Sequence, residues 1–232
     1  MMALLIFFSG DIAFCSEPQF QKLNMPTQER EYLYFESREG ASTCQVFLIF
    51  LHGLQQCREG MFQGLEPLRQ LANRKGIELI APLGLKGSFR DDLPSFAWHP
   101  GDFDEHVSLI EAIISSLRSK NPDAKIILAG FSNGAFFLSD LIREREVLCD
   151  GFWLSCGGYR GEVKAPMHVN QKIVLEVGKE DHFHLEAVRF FRDDLITLGW
   201  ELERTLFYHE HSGGHWMDLE SFSEKMSFLI SK

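Results

Sequence analysis

The amino-acid sequence predicts an α/β fold with a mostly parallel central sheet and helices on both faces. Strand-like runs alternate with helix-like runs from residue 32 onward, and sheets built from such units are largely parallel. The run 46–51 (VFLIFL) is continuously apolar, as expected of a strand covered on both sides. No internal repeat, low-complexity tract or long linker interrupts this order, so residues 16–232 are predicted to form one domain.

The strands are predicted from short apolar or aromatic runs bounded by turn-forming residues. The run 77–81 (IELIA), for example, is followed by Pro82, which cannot donate to a sheet ladder. In chain order, the predicted strands are 32–35, 46–51, 77–81, 126–129, 152–155, 173–177 and 201–208.

The helices are predicted from apolar residues at helical spacing. In the run 102–120, Val107, Ile110 and Ile114 belong to one apolar stripe, and acidic Glu105 suits a helix N-terminus. The stretch 87–101 is rich in residues that interrupt regular structure and is predicted to be a loop. In chain order, the predicted helices are 61–75, 102–120, 135–145, 184–198 and 217–231.

The composition limits the classes of partner. Hydrophobic residues make up 45% of the 232 residues, enough for a substantial core without a disulfide or metal. The formal net charge of −10 disfavours contact with phosphate backbones, so no nucleic-acid partner is expected. No apolar run approaches the length of a membrane span.

The N-terminal residues 1–15 (MMALLIFFSGDIAFC) have two interpretations. They are apolar enough for a short signal segment, which would export the protein to the periplasm or beyond, but they lack the usual preceding basic residues. The alternative is an extra apolar segment on a cytoplasmic protein. Cleavage after Cys15 would leave an even number of cysteines, compatible with two disulfides, whereas a reducing compartment would keep them as buried thiols: Cys44, Cys57, Cys149 and Cys156.

The segment 130–135 (GFSNGA) contains a candidate nucleophile. Ser132 lies between Gly130 and Gly134, at the junction of a predicted strand and a predicted helix. The pattern G-x-S-x-G at such a junction is typical of a nucleophile elbow, a sharp turn that lifts a serine hydroxyl above the sheet. The alternative is an ordinary turn in which Ser132 only caps the helix.

A serine hydroxyl needs a base, and the base needs an orienting carboxylate. Asp181 follows the predicted strand 173–177, and His215 follows the last predicted strand, in the order serine, acid, histidine that accompanies this elbow. Glu180 is the alternative acid, but the shorter aspartate is the commoner orienting group. His209 and His211 are alternative bases, and His215 is preferred because it stands in a glycine-rich loop.

Two backbone N–H groups are predicted to stabilise a developing oxyanion. One belongs to Asn133, the residue after the candidate nucleophile. The other belongs to Leu54, in the His52-Gly53-Leu54 loop that follows the predicted strand 46–51. The alternative for this loop is a generic turn in which His52 is structural.

Aromatic residues near these loops are predicted to line a substrate pocket. They are Trp98, in the predicted loop 87–101, Phe131, beside the candidate nucleophile, and Trp216, beside the candidate base. The alternative for the loop aromatics is that they only cover the edge of the sheet.

The segments LHGLQQ (51–56), GFSNGA (130–135) and SGGHW (212–216), in this order, resemble the esterase family that contains poly(3-hydroxybutyrate) depolymerases and feruloyl esterases. The likeness covers about residues 45–220. It implies an α/β-hydrolase fold and a serine esterase in which Ser132, Asp181 and His215 form the catalytic triad. Leu54 stands where the family usually has cysteine, and Trp216 follows His215 without an intervening residue.

The implied reaction is the hydrolysis of small soluble esters or oligoesters through an acyl-enzyme, without a cofactor or metal. LHGL and GFS also resemble the acyl-thioesterase/carboxylesterase branch, which usually has glutamine at the position of Asn133, so that activity is the alternative. Two further classes stay open. One is a metal-dependent hydrolase that uses His209, His211 and His215, with His182 and His184 nearby in the fold. The other is a non-catalytic binding module on the same fold.

Overall fold

The computed structural model describes residues 19–24, 29–37, 45–55, 57–90, 93–159, 161 and 169–231. The strands of these residues are β1 (Gln19–Asn24), β2 (Glu29–Phe35), β3 (Val46–Leu51), β4 (Ile77–Pro82), β5 (Leu85–Arg90), β6 (Leu93–Ala97), β7 (Lys125–Phe131), β8 (Gly151–Ser155), β9 (Lys172–Gly178) and β10 (Leu206–His211). The helices are α1 (Arg58–Arg74), α2 (Phe103–Lys120), α3 (Asn133–Glu144), α4 (Leu185–Thr197) and α5 (Phe222–Ile230), with a short 3₁₀ turn (Pro100–Asp102) before α2.

Within the described residues, eight strands form one sheet in the order β1-β2-β4-β3-β7-β8-β9-β10. The six strands from β4 to β10 in that order are parallel, while β2 pairs with β4 and β1 with β2 in antiparallel fashion. The predicted fold class, a mostly parallel sheet with helices on both faces, is therefore confirmed.

The core lies in two layers, one on each face of the sheet. In β3, Phe47 and Ile49 pack into one layer and Leu48 and Phe50 into the other, which explains why this strand is apolar throughout. The first layer receives the buried faces of α2, α3 and α4, and the second those of α1 and α5.

The parallel arrangement brings four loops to one edge of the sheet. The carboxyl end of β3 lies beside that of β7, with Leu51 opposite Gly130. At the other side, the carboxyl end of β9 lies beside that of β10, with Gly178 opposite His211. Loops that follow parallel strands form the ligand sites of open α/β sheets, so the loops after β3, β7, β9 and β10 surround the candidate site.

The structure differs from the prediction in the stretch 87–101. Most of it belongs to a two-stranded hairpin, β5–β6, in which Leu85 pairs with Ala97 and Lys86 with Phe96. Gly87 lies within β5, although a glycine in a strand interior weakens the strand and therefore predicts a loop. Strand β1 was also missing from the prediction, since its sequence QFQKLN has too few apolar residues to indicate a strand.

Two other predicted boundaries are wrong. The last strand begins at Leu206 rather than at residue 201, because the N–H groups of Thr205 and Leu206 both donate to the carbonyl of Glu201 at 2.9 Å and close a turn. Helix α5 begins at Phe222 rather than at residue 217, because the Asp218 carboxylate accepts a hydrogen bond from the backbone N–H of Glu220 at 3.1 Å.

Cys57, Cys149 and Cys156 are free thiols, so the two-disulfide pattern is wrong. Cys57 is exposed and the other two are buried. Cys15, Cys44 and the proposed signal segment 1–15 lie outside the described residues. No helix in the described part of the chain combines the length and apolarity that a bilayer crossing requires.

Candidate active site

Ser132 occupies a sharp turn between β7 and α3. Its backbone has φ 51° and ψ −115°, a left-handed conformation that costs free energy for any residue other than glycine. The turn is fixed on both sides, since the Ser132 N–H donates to the Ser155 carbonyl at 2.9 Å and the Ser132 carbonyl accepts from the Phe136 N–H at 2.9 Å. Such strain is typical of a functional turn held by its surroundings.

The glycines on either side of Ser132 are required by backbone packing. A Cβ on Gly130 would lie 2.6 Å from the carbonyl carbon of Gly134, and a Cβ on Gly134 would overlap the carbonyl oxygen of Leu51. The spacing G-x-S-x-G therefore lets α3 begin directly against β3 and β7 and places its N-terminus at the sheet edge.

Ser132, His215 and Asp181 form one hydrogen-bonded chain. His215 Nε2 lies 2.9 Å from Ser132 Oγ, and His215 Nδ1 lies 2.6 Å from Asp181 Oδ2. The Glu180 side chain is exposed, while its backbone N–H donates to the Gly213 carbonyl at 2.7 Å and joins the two loops. The structure thus brings together the three residues that the sequence singled out, in the geometry that a serine–histidine–aspartate triad requires.

The Asp181 carboxylate is buried, and each of its oxygens has a hydrogen-bond partner. Burial by itself would raise the pKa of Asp181, yet the hydrogen bonds from His215 and His184 outweigh it and hold the pKa below its ordinary value. A charged Asp181 keeps the proton of His215 on Nδ1, which leaves Nε2 as the acceptor facing Ser132.

His184 is predicted from the sequence only as a neighbour of the candidate metal-binding histidines, and the structure places it beside the triad instead. Its Nδ1 lies 2.8 Å from Asp181 Oδ1, and its ring stacks on His215 with centroids 4.4 Å apart and an interplanar angle of 26°. The spacing Asp181-x-x-His184, three residues apart at the start of a predicted helix, is the sequence signal that could have identified it.

The loop after β3 is fixed by a buried histidine. His52 Nε2 accepts from the Gly84 N–H at 2.9 Å, which leaves Nδ1 to donate to the Gly53 carbonyl at 2.5 Å. Burial lowers the pKa of His52 to about 4, so the ring is neutral. His52 is thus structural, and it positions the backbone of the adjoining Leu54, which is 43% exposed.

Trp98 lies in the core rather than at a pocket wall. It is 2% exposed, its indole N–H donates to the His52 carbonyl at 3.0 Å, and its ring packs against His52 and His106. Burial lowers the pKa of His106 to about 3, so this neighbour is neutral as well. Trp98 therefore holds the candidate oxyanion loop in place from the core side, through its contacts with His52.

Phe131 packs against the candidate base, and Trp216 follows that base in the chain. The Phe131 ring lies 4.9 Å from the His215 ring, centroid to centroid. Trp216 is 53% exposed, and its carbonyl accepts from the buried thiol of Cys156 at 3.4 Å. The Trp216 ring packs against the His211 ring, with centroids 6.3 Å apart, and against Gly213 and Gly214. A role for Phe131 and Trp216 in a substrate pocket stays a prediction.

The alternative histidines lie away from Ser132. His209 Nε2 is 3.2 Å from Asp218 Oδ2, and the His211 ring packs against the His209 ring with centroids 6.2 Å apart. They do not combine with His215 into a group with metal-ligand spacing among the described residues.

One other group of described residues has that spacing, namely Cys156, Asp181 and His215, whose ligand atoms lie within 4.8 Å of one another. The Cys156 thiol is buried, which raises its pKa to about 12, and it donates to the Trp216 carbonyl at 3.4 Å. Both ring nitrogens of His215 also have hydrogen-bond partners already. The group is therefore better suited to hydrogen bonding than to holding an ion.

Comparison with solved structures identifies the fold as that of the α/β hydrolases. XC6422 from Xanthomonas campestris, described as an α/β serine hydrolase without a lid, is 19% identical with a TM-score of 0.60, over 94% of this chain and 95% of that one. Acyl-protein thioesterase 2 of Zea mays is 18% identical with a TM-score of 0.62, over 85% and 96% of the two chains. The carboxylesterase of Bacillus cereus is 13% identical with a TM-score of 0.61, over 86% and 93%.

At this level of identity the likeness extends to the fold alone. No protein-family model matches the chain, and no curated protein sequence matches it. The resemblance to poly(3-hydroxybutyrate) depolymerases and feruloyl esterases therefore stays a prediction from the motifs.

Proposed function

We propose that the protein is a serine hydrolase that cleaves carboxylic esters through an acyl-enzyme intermediate. The supporting observation is the hydrogen-bonded chain from Ser132 Oγ to His215 Nε2 and from His215 Nδ1 to Asp181 Oδ2, at 2.9 Å and 2.6 Å. Ser132 is the nucleophile, His215 the general base and then the general acid, and Asp181 the orienting carboxylate.

In the first half-reaction, His215 Nε2 takes the proton of the Ser132 hydroxyl while Oγ forms a bond to the ester carbonyl carbon. The carbonyl electron pair moves onto oxygen and gives a tetrahedral oxyanion. When the carbon–oxygen bond to the alcohol breaks, the electron pair returns and Nε2–H gives its proton to the leaving alcohol. In the second half-reaction, water attacks the acyl-enzyme by the same proton transfers and regenerates Ser132.

The backbone N–H groups of Asn133 and Leu54 are proposed as oxyanion donors. Asn133 is the first residue of α3, so its N–H has no partner within the helix and adds to the positive end of the helix dipole. Leu54 lies on the loop that His52 and Trp98 hold in place. Fixed donors of this kind stabilise the transition state more than the ground state.

The loops around Ser132 support a substrate with an apolar group. Leu54, Phe183 and Trp216 lie on three loops that contain site residues, and they are 43%, 93% and 53% exposed. Exposed apolar side chains beside a catalytic group are suited to contact an apolar acyl or alcohol group. We infer small soluble esters or oligoesters as substrates.

The proposal is tested by hydrolysis of short p-nitrophenyl esters. The wild type is expected to turn them over, and Ser132→Ala to lose activity on the order of 10⁴-fold or more. A fluorophosphonate probe is expected to label the wild type and not the variant. Retention of most of the rate by Ser132→Ala would contradict the proposal, and a folded wild type that neither turns over esters nor reacts with the probe would support the binding module instead.

The same assay separates the remaining alternatives. A thioester is cleaved by the same steps with a thiol as leaving group, so a panel of short acyl, long acyl, feruloyl and thioester substrates identifies the preferred class. Loss of activity on chelation, restored by added zinc, would support a metal-dependent reaction.

A further inference from the structure

Asp181 binds two imidazoles, one with each carboxylate oxygen. Oδ2 lies 2.6 Å from His215 Nδ1, and Oδ1 lies 2.8 Å from His184 Nδ1. The Asp181 side chain is only 2% exposed, so water has little access to replace a lost partner. A buried carboxylate with an unsatisfied oxygen is costly, and rotation or displacement relieves that cost.

The His184 ring is held on several sides. The His184 backbone N–H donates to the Asp181 carbonyl at 3.1 Å, which fixes the turn at the start of α4. One face of the ring stacks on His215, and Phe136 of α3 lies 5.6 Å away, centroid to centroid. Phe136 in turn packs on Tyr159 at 4.4 Å. These contacts hold the His184 ring in the orientation in which its Nδ1 donor faces Asp181.

We propose that His184 is a positioning residue of the hydrolytic site: its Nδ1–H fixes the Asp181 carboxylate so that Oδ2 stays directed at His215. This inference rests on the proposed function. The described contacts of the His184 ring are with Asp181, His215 and Phe136 and not with Ser132, so its effect passes through Asp181 and the stacked His215. The role predicts a loss in the chemical step and none in substrate binding.

The test compares three variants on a p-nitrophenyl ester. His184→Phe keeps an aromatic ring for stacking but removes the donor. His184→Asn places an amide N–H where Nδ1 stands but removes the ring. His182→Asn is the matched control, because His182 lies on the same loop with an exposed side chain.

His184→Phe is expected to lower kcat by about 10- to 100-fold with KM little changed, the range found where orienting partners of metal ligands are removed. His184→Asn is expected to restore kcat to within about threefold of wild type, since it returns the hydrogen bond. A merely structural role would not separate these two variants. Equal losses in both, an unchanged kcat in His184→Phe, or a loss in KM alone would overturn the inference.

Folding and the parent proposal are checked separately. Thermal unfolding and circular dichroism report whether each variant is folded. If His184→Phe does not fold, His184→Leu replaces it in the comparison, because leucine also lacks the donor and is smaller. Failure of the proposed function would appear as ester turnover by Ser132→Ala, or as no turnover by wild type. Failure of this inference alone would appear as an active wild type, an inactive Ser132→Ala and a fully active His184→Phe.

Discussion

Asn133 and Trp98 join the start of helix α3 to the segment after β6 through the backbone of Trp98. The Trp98 N–H donates to Asn133 Oδ1 at 2.7 Å, and Asn133 Nδ2 donates to the Trp98 carbonyl at 3.4 Å. Because the Trp98 indole also binds the His52 carbonyl, this pair connects the two loops proposed to supply oxyanion donors. The Asn133 side chain thus has a structural task that is separate from its backbone N–H.

This pairing predicts different effects for two substitutions of Asn133. Asn133→Ala removes both hydrogen bonds and is expected to lower the free energy of unfolding by about 1–2 kcal/mol and to reduce kcat. Asn133→Asp keeps an acceptor but places a negative charge beside the oxyanion, so kcat should fall at least about 10-fold further. Ester turnover and urea unfolding check both effects. Asn170→Ala, at an exposed position, is the control, and an aspartate variant more active than the alanine variant would refute this explanation.

Asp181→Asn tests the orientation of the base. An amide in place of the carboxylate can donate to His215 Nδ1 and so leave the proton on Nε2, where it cannot accept from Ser132. The expected loss in kcat is on the order of 10⁴-fold. Glu180→Gln, at the exposed neighbouring position, should keep nearly full activity. If Glu180→Gln lost activity and Asp181→Asn kept it, Glu180 would be the orienting acid instead.

Glu210→Gln should lower stability in a pH-dependent way. The Arg189 guanidinium binds both oxygens of Glu210, at 2.8 and 3.0 Å, and holds the pKa of Glu210 at about 2 instead of 4.5. Because the folded-state pKa is the lower one, the stabilisation is complete above pH 4.5 and is lost as the pH falls toward 2. Arg189 is 37% exposed and screened by solvent, so the expected difference at pH 7 is small.

Urea unfolding of wild type and Glu210→Gln at several pH values measures this difference. It should be constant from pH 7 to about 4.5 and shrink below that value. Glu111→Gln, at an exposed position of α2, should show no such dependence. A difference that grows on acidification would mean that Glu210 is not held in its charged form.

Lys225→Met should be among the most destabilising single substitutions. Lys225 and Glu176 form a fully buried ion pair, and Lys225 Nζ also donates to the Asp218 carbonyl at 2.6 Å, close to the His215 loop. Removing the cation leaves the Glu176 charge without compensation, at an expected cost of about 3–5 kcal/mol. The double variant with Glu176→Leu should recover much of that loss, as denaturant unfolding of all four proteins would show. A double variant less stable than Lys225→Met would contradict this view.

Much of the fold could be predicted because the strands at the centre of its sheet are largely apolar. Val46–Leu51 and Lys125–Phe131 are buried on both faces, so a short apolar run was a sufficient signal for each. β1 and the β5–β6 hairpin carry mixed polar sequences whose pairing depends on neighbours that the local pattern does not encode. The same limit applies to Glu201, which the local pattern places in a strand although its carbonyl closes a turn.

The candidate site was predictable where a residue follows a strand directly. The roles of Ser132 and Asp181 can be predicted from the order of the strands and from short spacings, both of which are visible in the sequence. His184 and Trp98 were not predictable in the same way, because their positions follow from packing between α3, α4 and the hairpin. An aromatic residue in an irregular segment gives no sign of whether it faces ligand or core.

The β5–β6 hairpin leaves and rejoins the body of the protein at almost one point. A Cβ on Gly84 would lie 2.6 Å from the Ala97 carbonyl oxygen, and the next residue, Trp98, already binds His52 and Asn133. The base of the hairpin also anchors the candidate oxyanion loop, because Phe96 of β6 and Gln55, the residue after Leu54, exchange two backbone hydrogen bonds at 2.7 and 3.2 Å. Residues inserted between β5 and β6 would therefore lengthen the hairpin at a loop-closure cost that rises only slowly with their number, while Phe96 and Trp98 at its base keep their bonds to Gln55 and His52.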